Sequence, residues 1–290
     1  MNRPHWLDTA EYPFKSNVLE LPAGRVHYVD EGHGRPVLML HGNPTWSFSY
    51  RRAIRRLSAN FRCIAPDYLG FGFSDKPGDW SYLPRDHAET VAALIEYLDL
   101  DDLTIVVQDW GGPIGLSWAV MRPESVRRLV ILNTWCWPVD EDPHFVRFSR
   151  IMGGSVGKFL IRRFNFFARV VMRQGFGDKR RLTAAIHRHY LAPLDRPEAR
   201  EGCWIFPREI VGSTAWLAEI WARRAVLESK PALIVWGMKD IAFREKELLR
   251  WTELLPEAHV VQLVDAGHFV QEEAGDRLAD ALETFLVSRH

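Results

Sequence analysis

Leu103-Thr-Ile-Val-Val-Gln-Asp-Trp-Gly-Gly112 reads as a buried strand, a sharp turn and the start of a helix. An attacking residue at such a turn is held in the open above the edge of a sheet. Here the turn carries Asp109. Its unperturbed pKa of about 3.9 means that it is ionised at neutral pH and can attack before any base acts. Attack on a carboxylic ester would give a high-energy anhydride, whereas attack on a saturated carbon bearing a leaving group gives an ordinary ester. The chemistry expected of this turn is therefore displacement at an alkyl electrophile.

Outward from this stretch, short apolar runs recur at 37–40, 62–65, 129–132, 232–236 and 260–264. Unbroken apolar runs mark strands covered on both faces, as in a mostly parallel sheet. Val91, Leu94, Ile95 and Leu98 repeat at helical spacing, which predicts an amphipathic helix over 86–99, and Leu278, Leu282, Phe285 and Leu286 predict another. Residues 18–21 and 24–30 alternate and predict an antiparallel hairpin at the sheet edge. Strand–helix alternation implies an α/β fold with helices on both faces of the sheet. From 137 to 228 no buried strand is expected, far beyond the ~2–6 residues usual for such connections. This Phe- and Arg-rich segment reads as an inserted helical cap, dividing the main domain into 1–136 and 229–290.

At 290 residues the chain can bury a full core. Its 37 Lys and Arg balance 37 Asp and Glu, so no global field favours nucleic acid, membrane or strongly charged substrates. The basic stretch 162–169 is read as a solvated helix face rather than a membrane or anion surface. Cys63, Cys136 and Cys203 show no paired or metal-type spacing, which suits a reducing, cytoplasmic compartment. The N-terminal stretch lacks an apolar signal core, and no run approaches the ~20 apolar residues of a membrane span. His187-Arg-His189 lacks a third ligand at sensible spacing, so no metal is expected. Gly153-Gly-Ser-Val-Gly-Lys-Phe159 has the wrong glycine spacing for a phosphate loop.

Four stretches converge on one sheet edge. Gly111 and Gly112 let the helix after Asp109 pack close to its strand, and Pro113 suits the first helical turn. The helix N-terminus favours the ionised carboxylate. Asp265-Ala-Gly-His-Phe-Val-Gln-Glu272 follows the last strand and offers His268 as general base. Trp236-Gly-Met-Lys-Asp240 offers Asp240 to orient that imidazole. The order nucleophile, acid, histidine is that of an α/β-hydrolase. Leu40-His-Gly-Asn-Pro-Thr-Trp46 follows the strand at 37–40, so the backbone amides of Asn43 and Trp110 are expected to form an oxyanion hole. The Trp110 indole and the Asn43 amide are neutral donors suited to a departing halide. His41 is read as a structural loop residue.

These motifs, with Pro-Asp-Tyr-Leu-Gly-Phe-Gly-Phe-Ser at 66–74, resemble the haloalkane dehalogenases of the α/β-hydrolase superfamily. The resemblance covers nearly the whole main domain and is weakest in the cap. One branch of the family places the triad acid after the strand that ends here near Asn133, where this chain has Asn-Thr-Trp. Another uses a cap tryptophan as second halide donor. Asp109, His268 and Asp240 with Asn43 and Trp110 match a third branch. The resemblance implies a small apolar halogenated substrate, water as co-substrate, alcohol and halide products, and no metal or organic cofactor. Oligomeric state, preferred halogen and substrate length stay open. Two other readings are kept: an epoxide hydrolase, for which the cap supplies a single tyrosine, Tyr190, and a non-catalytic small-molecule receptor.

Overall fold

The computed structural model describes residues 4–288. The opening segment read for a signal core includes residues 1–3, which lie outside that range. Eight strands form one sheet: β1 Asn17–Leu21, β2 Gly24–Glu31, β3 Pro36–Leu40, β4 Arg62–Pro66, β5 Leu103–Gln108, β6 Val126–Leu132, β7 Ala232–Gly237 and β8 His259–Leu263. Their order is β1-β2-β4-β3-β5-β6-β7-β8. β2 runs antiparallel to both of its neighbours, and every pairing from β4 to β8 is parallel. The predicted hairpin is β1–β2, at the sheet edge.

Side chains alternate across a strand, and in the central strands that alternation sorts the core into two layers. Leu38, Leu40, Ile105, Val107, Ile131 and Ile234 face one cluster; Val37, Met39, Val106, Val130, Leu233 and Val235 face the other. Helices α2 Pro84–Tyr97 and α3 Gly111–Met121 cover the first face, with Leu94, Ile95, Ile114 and Leu116 buried there. Helices α1 Arg51–Leu57 and α12 Gly275–Val287 cover the second, with Ile54, Leu57, Leu278 and Leu282. The short α11 Val270–Glu273 precedes α12, and α10 Glu245–Leu254 lies between β7 and β8.

One strand departs from expectation. β8 is not covered on both faces: of its five residues only Leu263 is buried. Its place at the end of the sheet, paired with β7 alone, explains this, since an edge strand gains cover from one side only.

Between β6 and β7 the chain is helical: α4 Pro143–Gly153, α5 Ser155–Phe164, a π-helical turn Phe167–Val171, α6 Met172–Gly175, α7 Ala184–Leu191, α8 Glu201–Gly212 and α9 Thr214–Ala222. Asp142 caps α4 by accepting from the His144 amide, and Thr183 caps α7 through the Ile186 amide.

Candidate active site

The carboxyl ends of β3, β5, β6, β7 and β8 meet at one edge. Asp109 follows β5 with φ +51°, a left-handed conformation that Asp tolerates better than most residues. The turn is held by its own backbone. Asp109 N donates to Asn133 O (3.1 Å), Gly112 N to Asp109 O (2.9 Å), and Thr134 Oγ1 to Asp109 O (2.5 Å). α3 starts almost in contact with β3. A Cβ on Gly111 would collide with the Leu40 carbonyl oxygen, so glycine alone fits there.

The Asp109 carboxylate is held at one oxygen and turns the other toward the histidine. Oδ1 accepts from the Asn43 amide at 2.7 Å, and Oδ2 lies 3.6 Å from His268 Nε2. The Trp110 amide, next in the chain, also favours the ionised form of this carboxylate. The two amides expected to form an oxyanion hole thus converge on Asp109 itself. Burial pushes its pKa above the usual carboxylate value, against the pull of His268 and the two amides. The expectation that it ionises without help therefore needs correction: desolvation opposes the charge, and the neighbouring donors sustain it.

His268 Nδ1 faces Asp240 Oδ2 at 2.9 Å. Asp240 is held in turn by Asn133 Nδ2 at 2.9 Å and the Ala242 amide at 2.7 Å. Burial alone would lower the His268 pKa, but the adjacent Asp240 carboxylate outweighs it, Asp109 adds to the effect, and the value is raised. The His268 amide donates to Gly175 O at 2.8 Å, so the end of α6 braces the histidine loop.

Asn43, Asp109 and His268 line a cavity of about 190 Å³ whose walls are otherwise mainly apolar, including Trp135, Phe148, Phe167, Phe243 and Phe269. A larger, more open cleft beside Asp140 and Arg250 holds none of the predicted groups. The predicted donors are placed differently from each other. Asn43 reaches the cavity, its Nδ2 donating to Cys203 O at 3.4 Å and its Oδ1 left without a partner among the described residues. Trp110 is not one of the lining side chains. Its ring is 1% exposed, stacked on Phe206 (5.3 Å) and edge-on to Trp135 (4.7 Å). No described residue accepts from its indole N–H.

A scan of known families matches residues 35–275 to the α/β hydrolase fold. The chain is 42% identical over 278 residues to haloalkane dehalogenase 2 of Mycobacterium tuberculosis H37Rv, covering 95% of this chain and 96% of that one. The chain belongs to the haloalkane dehalogenase family of α/β hydrolases. The structure of the family member DatA from Agrobacterium tumefaciens C58 superposes with a TM-score of 0.85 at 26% identity, covering 97% of this chain and 99% of that one. The chain is also 34% identical over 290 residues to a cis-3-alkyl-4-alkyloxetan-2-one decarboxylase of Shewanella oneidensis, covering 97% and 91%.

Three residues of this dehalogenase-family site escaped the sequence reading. Gln108, fully buried, donates from Nε2 to the His268 carbonyl (3.2 Å) and stands 3.0 Å from His268 Nε2. The carbonyl fixes which end of the amide faces the ring, so Nε2 of the imidazole accepts and Nδ1–H donates to Asp240. Asn133 locks the end of β7, donating to Gly237 O and accepting from Gly237 N. Trp135 lines the cavity with a buried indole N–H that lacks a partner among the described residues. Gln108 belonged to the quoted Gln-Asp-Trp-Gly-Gly motif, and its adjacency to Asp109 was the available signal. For Trp135 the sequence held no signal beyond tryptophan itself.

His41 is structural, as expected: it accepts from the Tyr68 amide at 3.1 Å and donates to Gly42 O at 2.9 Å. Burial lowers its pKa to about 4 and keeps it neutral.

Proposed function

We propose that the chain hydrolyses carbon–halogen bonds of small apolar haloalkanes, with Asp109 as nucleophile, His268 as base and Asp240 as the acid that orients it. One observation carries the reading: an Asp109 carboxylate held by the Asn43 amide at Oδ1, with Oδ2 directed toward His268 Nε2, in an apolar chamber. Oδ2 attacks the carbon in line, the C–X bond breaks, and halide departs with its electron pair toward the Asn43 amide and the Trp110 indole. Desolvation makes the carboxylate a stronger nucleophile. Water entering between the new ester and His268 loses a proton to Nε2 and adds to Cγ of Asp109. Asp240 stabilises the imidazolium, and the Asn43 and Trp110 amides hold the oxyanion. The adduct collapses to alcohol and regenerated Asp109, with one proton released to solvent. This sequence needs no metal or organic cofactor.

Residues 137–228 act as the cap, with Phe145, Phe148, Phe167, Met172 and Ile210 excluding water. Three free, buried cysteines suit a reducing, cytoplasmic setting. The epoxide reading loses its acid: Tyr190, the cap's tyrosine, is fully buried and donates to Glu272 rather than facing the cavity.

The deciding assay follows halide and proton release from short chloro-, bromo- and iodoalkanes. Styrene oxide, a p-nitrophenyl ester and an alkyloxetan-2-one serve as controls, the last because a relative is named for that substrate. His268→Gln should stop turnover after the first step, so that intact mass after a bromoalkane shows one alkyl group on Asp109. An active wild type with an unalkylated variant contradicts the two-step scheme. Olefin from the oxetanone without halide from any haloalkane moves the chain to the decarboxylase's reaction.

A further inference from the structure

The back of the cap carries a surface that the cavity chemistry does not use. Between Asp142 and Asp178 the sequence holds seven Lys and Arg and no acidic residue, in a chain whose charges balance overall. Among the described residues, Glu201 pairs with Lys158 and Arg162, whereas Arg147, Arg150, Arg163, Arg169 and Arg173 are exposed and have no ion-pair partner. Interleaved with them are large exposed apolar side chains: Ile151 (52%), Val156 (69%), Phe159 (60%), Phe164 (52%) and Val170 (38%). Among the described residues Phe159 and Phe164 are the only phenylalanines so exposed, and their rings touch edge to face at 5.8 Å.

The pattern on α5 is specific. Positions 156, 159, 160 and 163 share one helix face, which turns Val156, Phe159 and Arg163 to solvent with Leu160 half-buried, while Gly157 and Ile161 face the core. Water stabilises no such outward stripe. Apolar side chains flanked by long cationic ones suit the boundary between headgroups and acyl chains, where rings enter the acyl region and guanidinium groups meet phosphates.

We propose that this face of α4, α5 and the following π-helical turn docks on an anionic lipid bilayer surface. A second copy of the chain fits less well, because a two-fold contact would set the unpaired arginines against their own like. Nucleic acid would pair with the arginines but offers nothing to the aliphatic Ile151 and Val156, which cannot stack on bases. Docking is peripheral, since no helix among the described residues is long and apolar enough to cross a membrane. Docking here departs from the sequence reading of 162–169 as a solvated face, because exposed apolar groups lie between the charges. Docking does not depend on the proposed reaction, because the outward residues are distinct from those lining the cavity.

The test is co-sedimentation of the full chain with phosphatidylcholine vesicles and with vesicles holding about one third phosphatidylglycerol. The wild type should partition at least about tenfold more strongly onto the anionic vesicles, and salt should weaken that binding. Phe159→Ser/Phe164→Ser and, separately, Arg163→Gln/Arg169→Gln should each reduce binding about tenfold while circular dichroism melts stay unchanged. Equal partition onto both vesicles, no binding, or variants that bind as well as the wild type overturn the proposal. So does a wild-type oligomer that the phenylalanine variant converts to monomer without any change in vesicle binding.

Discussion

At the scale of single residues, the site depends on which atom of His268 holds its proton. Gln108 and Asp240 clamp the ring from opposite sides, leaving Nε2 as acceptor. Gln108→Leu removes one clamp while keeping volume and burial. We expect alkylation of Asp109 to proceed normally and ester hydrolysis to slow about tenfold, well short of the ~100-fold or more that loss of a general base costs. Rapid-quench measurement of the alkyl-enzyme separates the two steps, and equal slowing of both would exclude this role. The raised His268 pKa has a sign that can be checked. The base works only when neutral, so activity falls as pH drops through a value above the ordinary ~6.5. Raised Asp109 acts in the same direction, since it attacks only when ionised. Asp240→Asn withdraws the charge that holds His268 up, so the acidic limb of the hydrolysis rate should move to lower pH even as the rate itself declines. A limb that stays in place would show that Asp240 does not set the base.

At the scale of elements, the turn after β5 works because α3 lies against β3. Gly111 makes that approach possible: the Leu40 carbonyl occupies the space where a Cβ would sit. Gly111→Ala should therefore cost about 1–3 kcal/mol in stability through overpacking. It should also lower activity more than stability alone explains, because moving α3 moves the Trp110 amide off the carboxylate. Urea unfolding and kcat, measured together, check this; normal values for both would show slack at the junction. The strands show how sequence pattern and position interact. β5, β6 and β7 are buried nearly throughout and were legible as apolar runs. β8 has a similar run, yet its place at the edge leaves most of it half-buried or exposed. Hydrophobicity reported that a strand exists, and only neighbours decide how much of it is covered.

At the scale of the molecule, the helices inserted between β6 and β7 are joined to the sheet's covering helices by a buried ionic network. Arg51 of α1, fully buried, grips Glu272 of α11 with two hydrogen bonds (2.5 and 2.9 Å), and Tyr190 of α7 donates to the same carboxylate. Two charges taken out of water are tolerable only as a pair. Arg51→Leu alone should lower unfolding free energy by about 3–5 kcal/mol, whereas Arg51→Leu/Glu272→Leu should recover much of it. Thermal denaturation of the three proteins decides; if the double variant is no more stable than the single one, the loss comes from packing rather than a stranded carboxylate. Glu273, next in sequence, binds the Gly267 amide at 2.8 Å and the Asp178 amide at 3.0 Å, tying the His268 loop to the chain that follows α6. Damage to this joint would therefore reach the active site.

The amino-acid sequence by itself determined the α/β architecture and the four stretches that converge on the site. Strand and helix periodicity, and the chemistry of an aspartate at a strand–helix turn, are local properties that residue order encodes. Tertiary structure decided what depends on distance and on enclosure. It brought Asp240 within hydrogen-bond reach of His268, set Gln108 against the imidazole, packed the Trp110 ring between Phe206 and Trp135 and kept Tyr190 out of the cavity. It also set Phe159 and Phe164 on the outer surface of the inserted helices. The physical reason is the same in each case: a side chain's direction, hydration and charge state follow from groups far away along the chain, and only folding sets those groups beside it.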